Sequence, residues 1–312
     1  MALVLIGLGV FLLVLSPLLA YYVKPQAKRT PIDVNITTVF TGKGSYFDQG
    51  SLSSKKGQDL KIVRRVLGNV AASEKSGNAV WDVSTTIDNP DTVKLKDPRK
   101  SFQWQTERWV TDRATNKAVH CCGEQPKRFE GEAYLKFPFD VEKRTYTWWD
   151  STLGATVPLR YDGKQKVLGH EGLRFTGTVK PTQAGTRQVP GRLVGAKSGQ
   201  VNAEQWYSNS GIELIVDQRT GRILRATIEP RMSLRAPGGD EDKVTLLQSD
   251  GMRFTEKTQR QAVDLAKADN RKLVLVGSTA PITGGITGAL LALVGAVLLV
   301  RGRRTPAHRG QP

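Results

Sequence analysis

The stretch AVWDVSTTID, residues 79–88, alternates apolar and polar side chains along its length. Successive side chains of an extended chain point to opposite faces, so Trp81, Val83 and Ile87 share one face. This period is that of a half-buried β-strand and not of an amphipathic helix. The stretch therefore predicts a sheet with one covered face.

The same alternation recurs through most of the chain between its ends. Short connections with turn residues separate the candidates, which favours antiparallel pairing over parallel βαβ units. Asp162-Gly163 is a hairpin signal, DQRTG (217–221) is a longer one, and the Gly-rich, polar segment 182–199 predicts an exposed loop. The further strand candidates are 32–40, 101–110, 132–139, 144–149, 172–180, 203–208, 211–217, 222–229 and 243–249. The fold class predicted is a mainly β, antiparallel domain (β-rich α+β).

One helix stands out before the C-terminal end, TEKTQRQAVDLAKADNRK (255–272). Thr255 is a plausible N-cap, and Val263 and Leu265 contribute to an apolar side. We interpret residues 255–279 as a juxtamembrane stalk helix.

Both ends of the chain carry an uncharged apolar stretch, residues 2–23 and residues 280–300. About 20 helical residues cross a hydrocarbon core of about 30 Å, so each stretch is long enough to span a membrane. The first stretch reads as a retained anchor more readily than as a cleaved signal peptide. It lacks a basic n-region, its apolar stretch exceeds a usual h-region, and Leu18-Leu19-Ala20 is a poor cleavage site.

The orientation follows from the basic residues behind the second stretch. Arg301, Arg303, Arg304 and Arg309 place this tail in the cytoplasm by the positive-inside rule. Two spans then put both termini in the cytoplasm and residues 24–278 outside a cell membrane. The predicted organisation is an anchor (1–23), a β-rich external domain (24–254), the stalk (255–279), a second membrane helix (280–300) and a basic cytoplasmic tail (301–312).

The chain carries 46 Lys and Arg against 29 Asp and Glu, a net charge of +17. A basic external surface suits membrane lipid with anionic headgroups or an anionic envelope polymer. A generic soluble surface explains the charge equally well. Nucleic acid is not expected as a partner, because the compartment outside the membrane does not present it as a normal ligand.

The only two cysteines are adjacent in HCCGEQP, residues 120–126. A zinc site needs three or four ligands, and neither the zinc spacing nor a Cys-x-x-Cys redox motif occurs, so we expect no metal and no cofactor. In an oxidising compartment, Cys121 and Cys122 are expected to pair with each other. Bridging to another chain and free thiols remain alternatives. No Gly-x-Ser-x-Gly motif occurs, and with His308 in the cytoplasmic tail only His120 and His170 are external and available to a triad, so the chain is not expected to be an enzyme.

Aromatic residues concentrate in YLKFPFDVEKRTYTWWD, residues 134–150. One interpretation is an apolar core, the usual place for such residues. The other is a ligand groove with basic residues at its mouth, which suits an amphipathic lipid with an anionic headgroup. The ligand-facing candidates are Phe137, Phe139, Tyr146, Trp148 and Trp149, and the headgroup candidates are Lys143 and Arg144. Because Trp148 and Trp149 are adjacent, one of them must be covered by a second layer or exposed.

Small residues recur every four positions in the second apolar stretch, at Gly284, Gly288, Ala292 and Ala296. Such a ridge allows close approach of another helix, either the first span or a second copy in a homo-oligomer. The ordinary abundance of glycine and alanine in membrane helices explains the pattern as well.

The order of these phrases resembles that of the PorA-type family of actinobacterial envelope proteins. The resemblance rests on the N-terminal anchor, FPFDVEKRTYTWWD (137–150), YDGKQKVLGHEGLRF (161–175), VDQRTGRIL (216–224) and the C-terminal anchor. It implies an actinobacterial cell envelope and a β-rich external domain, and the family name implies pore formation.

The function predicted from the sequence is non-enzymatic. The external domain binds or transfers an envelope molecule, in particular a lipid. The alternatives are a pore, as the family name implies, and an interaction scaffold for other envelope proteins.

Overall fold

A computed structural model describes residues 1–197 and 199–303 of the chain. The chain divides into two compact units. The β unit comprises Thr30–Ala266, and the helical unit is built from Met1–Arg29 together with the residues from Lys267 onward. The tail arginines Arg304 and Arg309, and His308, lie outside the described residues.

Eleven strands lie within residues 1–197 and 199–303. They are β1 (Asn35–Asp48), β2 (Ser53–Gly68), β3 (Ala79–Asp88), β4 (Gln103–Thr111), β5 (Tyr146–Asp150), β6 (Ala155–Val167), β7 (His170–Pro190), β8 (Gln200–Val216), β9 (Ile223–Arg235), β10 (Val244–Ser249) and β11 (Met252–Phe254). The α-helices are α1 (Ala2–Leu18), α2 (Lys24–Ala27), α3 (Val70–Ser76), α4 (Glu256–Val274) and α5 (Ala280–Arg303). The remaining helical turns are Leu19–Val23, Thr92–Leu95, Pro98–Lys100, Gly191–Val194 and Leu275–Thr279.

The strands form one sheet in the order β4-β3-β2-β1-β10-β9-β8-β7-β6-β5, and β11 pairs with both β1 and β9. Neighbouring strands run antiparallel throughout. The mainly β, antiparallel fold class is therefore confirmed. The continuous helices Ala2–Ala27 and Glu256–Arg301 flank the sheet in sequence, and both are long and apolar enough to cross a membrane.

Strand β3 shows how the alternation produces the two faces. Trp81 and Val83 are each 2% exposed, whereas Asp82 and Ser84 between them are partly exposed. Burying a large apolar side chain contributes about 1.5–3 kcal/mol, so the register that covers Trp81 is strongly preferred over its one-residue slip.

Three local predictions were wrong. Residues 132–139 form no strand, because their backbone bonds are isolated and run to different segments, as in Ala133 N to Thr147 O at 3.1 Å and Phe137 N to Gly221 O at 2.7 Å. Asp162-Gly163 is not a hairpin turn but an irregularity inside β6, and the turn falls at Leu168-Gly169. The first half of the predicted loop 182–199 is strand, since β7 continues to Pro190 and pairs with β8. The side chains of residues 182–190 are mostly exposed on both faces of the strand, so the sequence there shows no alternation of apolar and polar residues.

Several other local predictions are confirmed. The turn at 217–221 joins β8 to β9, and the Asp217 carboxylate accepts a hydrogen bond from Thr220 N at 2.8 Å. Helix α4 occupies the predicted helical segment, with Thr255 Oγ1 accepting from Thr258 N at 3.3 Å as an N-cap. Within the β unit, Val263 and Ala266 of this helix pack on strand residues.

The connection from β4 to β5, residues 112–145, covers a small aromatic cluster between these two edge strands. Phe129 stacks on Trp109 with ring centroids 5.5 Å apart, and it meets the edge of Trp149 at 5.4 Å. Trp149 is thereby buried on one face of β5, while Trp148 is buried on the other face in the main core. Both tryptophans are covered, because this connection supplies the second layer.

A buried carboxylate fixes β5 against β8. The Asp150 Oδ2 atom accepts from the Tyr207 hydroxyl at 2.9 Å, and Oδ1 accepts from the backbone nitrogens of Thr152 and Leu153. Burial raises the pKa of Asp150 above its ordinary value, and burial likewise raises the pKa of Tyr207. These hydrogen bonds offset part of the cost of removing the carboxylate from water.

The helical unit is held by backbone-to-backbone approach of α1 and α5. A Cβ placed on Gly288 would lie 2.8 Å from the Gly9 oxygen, and one on Gly295 would lie 2.9 Å from the Ala2 oxygen. Glycine at these positions allows the contact distance that a small-residue ridge requires. Gly284, Gly288 and Ala292 of the predicted ridge face α1, whereas Ala296 is exposed and Gly295 is buried in its place.

Replacing Gly9 with Leu is expected to separate α1 from α5. A Cβ there would lie 2.6 Å from the Ala292 nitrogen, and such overpacking costs about 1–3 kcal/mol. The contact is measured as an oxidative cross-link between Ser16→Cys and Gly284→Cys in the full-length protein. These positions are adjacent, since the Ser16 Oγ lies 2.9 Å from where a Gly284 Cβ would be.

Gly7→Leu is the matched control, because a Cβ at Gly7 of the same helix meets nothing within 4 Å. The cross-linked peptides, identified by mass spectrometry, should be lost with Gly9→Leu and retained with Gly7→Leu. Equal cross-linking in the two variants would contradict the close contact.

Candidate functional site

A groove of about 800 Å³ lies over β2, β3 and β4. Its floor is the polar face of these strands, opposite the face that carries Trp81 and Val83. The volume is within the range of sites that bind small molecules or parts of chains, about 300–1,000 Å³. We take this groove as the candidate functional site.

Strand register brings the floor residues into rows. Lys61 is opposite Asp88, and Arg65 is opposite Ser84, which is in turn opposite Thr106. The alternation that buries one face of each strand leaves these side chains on the other. The backbone of β3, in the middle of the floor, is paired on both sides, whereas β4 is the edge strand of the sheet.

Two irregular segments supply the rest of the lining. The connection between β3 and β4 contributes Val93, Lys96, Asp97, Pro98 and Ser101. The segment after the cysteine pair contributes Gly123 and Gln125, which is held by backbone hydrogen bonds with Arg108 at 2.9 and 3.0 Å.

An ion pair lies at one end of the floor. The Arg108 Nε donates to Asp82 Oδ1 at 2.7 Å, and Nη2 donates to Oδ2 at 3.2 Å. These bonds raise the pKa of the Arg108 guanidinium above its usual value. Bidentate pairing fixes a row of donors and a row of acceptors in one plane.

The charges of the lining nearly cancel. Four basic residues, Lys61, Arg65, Lys96 and Arg108, stand against three acidic ones, Asp82, Asp88 and Asp97, although the whole chain carries +17. Glu107 also borders the groove, but it shares the face of Val83 and its carboxylate accepts from the Trp149 indole there. Most of the net positive charge of the chain therefore lies elsewhere on the molecule.

Trp104 of β4 borders the floor, opposite Thr86 in the register. It is 45% exposed, whereas Trp81, Trp109, Trp148 and Trp149 are each at most 8% exposed. Its Nε1 donates to the Ser84 Oγ at 3.2 Å, which holds the indole at the sheet surface. An exposed, fixed aromatic ring beside a polar groove is a contact surface for a ligand.

The aromatic residues proposed to face a ligand lie in other places. Phe137, Tyr146, Trp148 and Trp149 are buried among other core side chains. Phe139 is half-buried, with the Lys136 Nζ 4.1 Å from its ring centroid. None of the five lines the groove.

The two proposed headgroup contacts are engaged with the protein itself. The Arg144 guanidinium lies 3.8 Å from the Tyr146 ring centroid and pairs with Glu132 at 2.8 Å. The Lys143 Nζ lies 5.9 Å from the Tyr161 ring centroid. The sequence analysis did not predict the groove. Two features of the sequence indicate it: the polar positions of AVWDVSTTID, and the placement of Trp104 and Trp109 on opposite faces of β4.

The adjacent cysteines form a tight turn next to the groove. Their sulfur atoms lie at bonding distance, and Cys122 and Gly123 both have positive φ, at 60° and 74°. The Cys122 oxygen accepts from Arg108 Nη1 at 3.5 Å, which connects the turn to the floor. A covalent clip here would hold the Gly123–Gln125 wall in place.

The histidines lie apart from the groove lining. His120 Nδ1 is 3.8 Å from Glu124 Oε1, and His170 Nε2 is 2.6 Å from Asp217 Oδ2. Among the described residues, no three His, Cys, Asp or Glu side chains are grouped so that they could hold a metal ion.

A family model described as Porin PorA matches residues 1–297. No curated protein matches the sequence.

Unfolded protein that has not been reduced is expected to contain no thiol that reacts with iodoacetamide, because the Cys121 and Cys122 sulfurs lie at bonding distance. Reduction should release two reactive thiols per chain, counted by intact mass. Two alkylated cysteines without reductant would refute the vicinal disulfide, and a covalent dimer on a non-reducing gel would show a bridge to another chain.

Proposed function

The chain belongs to the Porin PorA family, and we propose that this envelope membrane protein binds an envelope molecule in the groove of its β unit. The proposal keeps the predicted topology, with both termini in the cytoplasm and residues 24–278 outside the cell membrane. The helical unit then serves as the anchor, and the β unit carries the binding site.

The single observation that carries the proposal is the groove itself. Its floor places ionic and hydroxyl side chains on the hydrogen-bonded strands β2, β3 and β4. Its walls come from two irregular segments that are held by hydrogen bonds. A site built on a sheet is favourable for recognition, because little of its backbone has to become ordered when a ligand binds.

Because the groove is the proposed site, the ligand is expected there and not at the aromatic stretch 134–150. The aromatic stretch around Trp148 supports a core role, since its rings pack against one another, as Phe137 does with Phe175 at 4.9 Å between centroids. A lipid ligand remains a prediction, and its test moves to the groove.

A photo-cross-linking amino acid at Thr106 tests this proposal in cells. Thr106 is an exposed floor residue, so a side chain there contacts whatever occupies the groove. We expect a non-protein adduct, carbohydrate or lipid, detected by mass spectrometry of the purified full-length protein.

The matched control replaces Gln188, an exposed polar residue of β7 that does not line the groove. Equal adducts at the two positions would contradict a specific site. A protein adduct found only at Thr106 would support the scaffold alternative instead.

A pore is a second candidate, favoured by the description of the family. Helix α5 presents two exposed hydroxyl residues one turn apart, Thr283 and Thr287, while its small residues are used against α1. A polar lumen would therefore form between copies that meet along this threonine face.

This candidate predicts discrete conductance steps in a planar bilayer that holds the full-length protein. The double change Thr283→Val and Thr287→Val should lower the step size, because it removes the polar lining. Ile286→Val on the same helix is the control and should leave the steps unaltered. A current without discrete steps at high protein concentration would contradict pore formation.

A further inference from the structure

The chemistry of the groove restricts what it can bind, and the first restriction concerns charge. An anionic headgroup or polymer needs an excess of positive lining residues, and a cationic ligand needs the reverse. Here basic and acidic side chains are nearly equal in number, four against three, and interspersed, with Lys61 opposite Asp88 and Arg108 paired to Asp82. This balance favours a ligand without net charge.

The second restriction concerns an acyl chain. A site for an acyl chain is lined predominantly by apolar side chains. The groove has apolar lining residues, but on its floor Val63 and Leu67 are separated by Arg65, and their neighbours on β3 are Thr86 and Asp82. Charged and hydroxyl groups therefore interrupt the apolar surface of the floor.

The third restriction concerns an extended peptide. Peptides that add to a sheet do so through an exposed strand edge, where backbone groups are unpaired. The groove lies over the face of β3, whose backbone pairs with β2 on one side and β4 on the other. A peptide lying over β3 would therefore lack the main-chain hydrogen bonds that give this mode its affinity. The outer edge of β4 is already partly occupied, since Arg108 pairs with Gln125 and Thr111 with Ala118.

The lining matches a hydroxyl-rich ligand. Each hydroxyl both donates and accepts, so it is satisfied by a surface that presents both kinds of group close together. The Asp82–Arg108 pair presents acceptors and donors in one plane, and the hydroxyls of Ser84 and Thr106 lie in the next row of the floor. Bonds to the charged members of such a set are stronger than neutral ones.

Trp104 supplies what hydrogen bonds cannot. The ring carbons of a sugar carry an apolar face of C–H groups, which stacks on an aromatic ring with a gain from buried area and from the ring's negative face. Trp104 is exposed and held at the sheet surface through Ser84, so it is available for such stacking.

We propose that the groove binds a neutral, hydroxyl-rich glycan chain, with Trp104 stacked on a sugar ring and the Asp82–Arg108 pair hydrogen-bonded to its hydroxyls. This inference rests on the proposed function, since it names the class of molecule that the same groove takes.

The test uses full-length protein in lipid nanodiscs and biolayer interferometry. The neutral probes are oligomers of mannan, arabinan, galactan and dextran, the anionic probes are polygalacturonate and phosphatidylinositol-containing vesicles, and the peptide probe is an uncharged random-coil peptide. We expect at least one neutral oligomer to bind, with affinity unchanged between about 0.01 M and about 1 M ionic strength, because an uncharged ligand has no charge–charge attraction for salt to screen.

Trp104→Ala should weaken this binding by at least about tenfold, the amount expected for the loss of one stacking aromatic. Trp206→Ala is the matched control. Trp206 is a partly exposed tryptophan of β8 that lies under the Arg235 guanidinium, 3.9 Å from its ring centroid, and does not line the groove. This control should bind as the parent does. Thr106→Tyr, which fills the floor from an exposed position, provides a second groove variant should Trp104→Ala fold poorly.

Each outcome of the binding measurement supports or contradicts the glycan proposal. If no neutral oligomer binds, or if one binds equally to the parent, Trp104→Ala and Thr106→Tyr, the glycan proposal fails. Binding of an anionic probe or of the peptide that is lost in Thr106→Tyr would overturn the glycan while leaving the groove as the binding site. If none of the probes binds and the cross-linked adducts at Thr106 and Gln188 are equal, the proposed function is contradicted as well.

Discussion

Adjacent tryptophans on a short edge strand impose the constraint from which much of the β unit follows. Trp148 and Trp149 must point to opposite faces of β5, and each needs apolar cover. The main core covers Trp148, and the connection 112–145 covers Trp149 with Phe129 stacked between it and Trp109. Each such aromatic pair contributes about 0.5–1.5 kcal/mol beyond the area it buries. The connection is therefore a second layer of the core rather than a solvent loop.

That layer also ties the two edges of the sheet together. Gln105 of β4 donates to the Ser151 oxygen at 3.2 Å, and the Trp149 indole donates to Glu107 at 3.3 Å. Unpaired sheet edges are liabilities, and covering them with a hydrophobic segment removes their exposed backbone groups. The same segment continues from this cover to the cysteine turn, so the packing of the aromatic cluster positions one wall of the groove.

The helical unit depends on a different kind of contact. Soluble cores exclude water, but two apolar helices in a lipid environment gain little from contact with each other through large side chains. Gly9, Gly288 and Gly295 instead let the backbones of α1 and α5 approach directly. Large side chains such as Phe11, Ile286 and Leu290 are left on the outer surface of the described helices, where a membrane protein meets lipid.

The sequence by itself determined the features that have a local period. Two-residue alternation in 79–88 identified a strand, the uncharged ends identified two helices long and apolar enough to span a membrane, and four-residue spacing identified Gly284 and Gly288 as part of a small-residue ridge. It did not reveal which apolar faces would find cover. Residues 182–190 alternate poorly because both faces of that ribbon are exposed, and Phe137 and Trp149 were open to both a core and a ligand-contact interpretation until the packing of 112–145 placed them inside. The exposure of Trp104 and the near balance of charge in the groove were likewise decided only by tertiary structure. A local pattern reports which side of a strand a residue is on, whereas what lies against that side depends on residues far away in sequence.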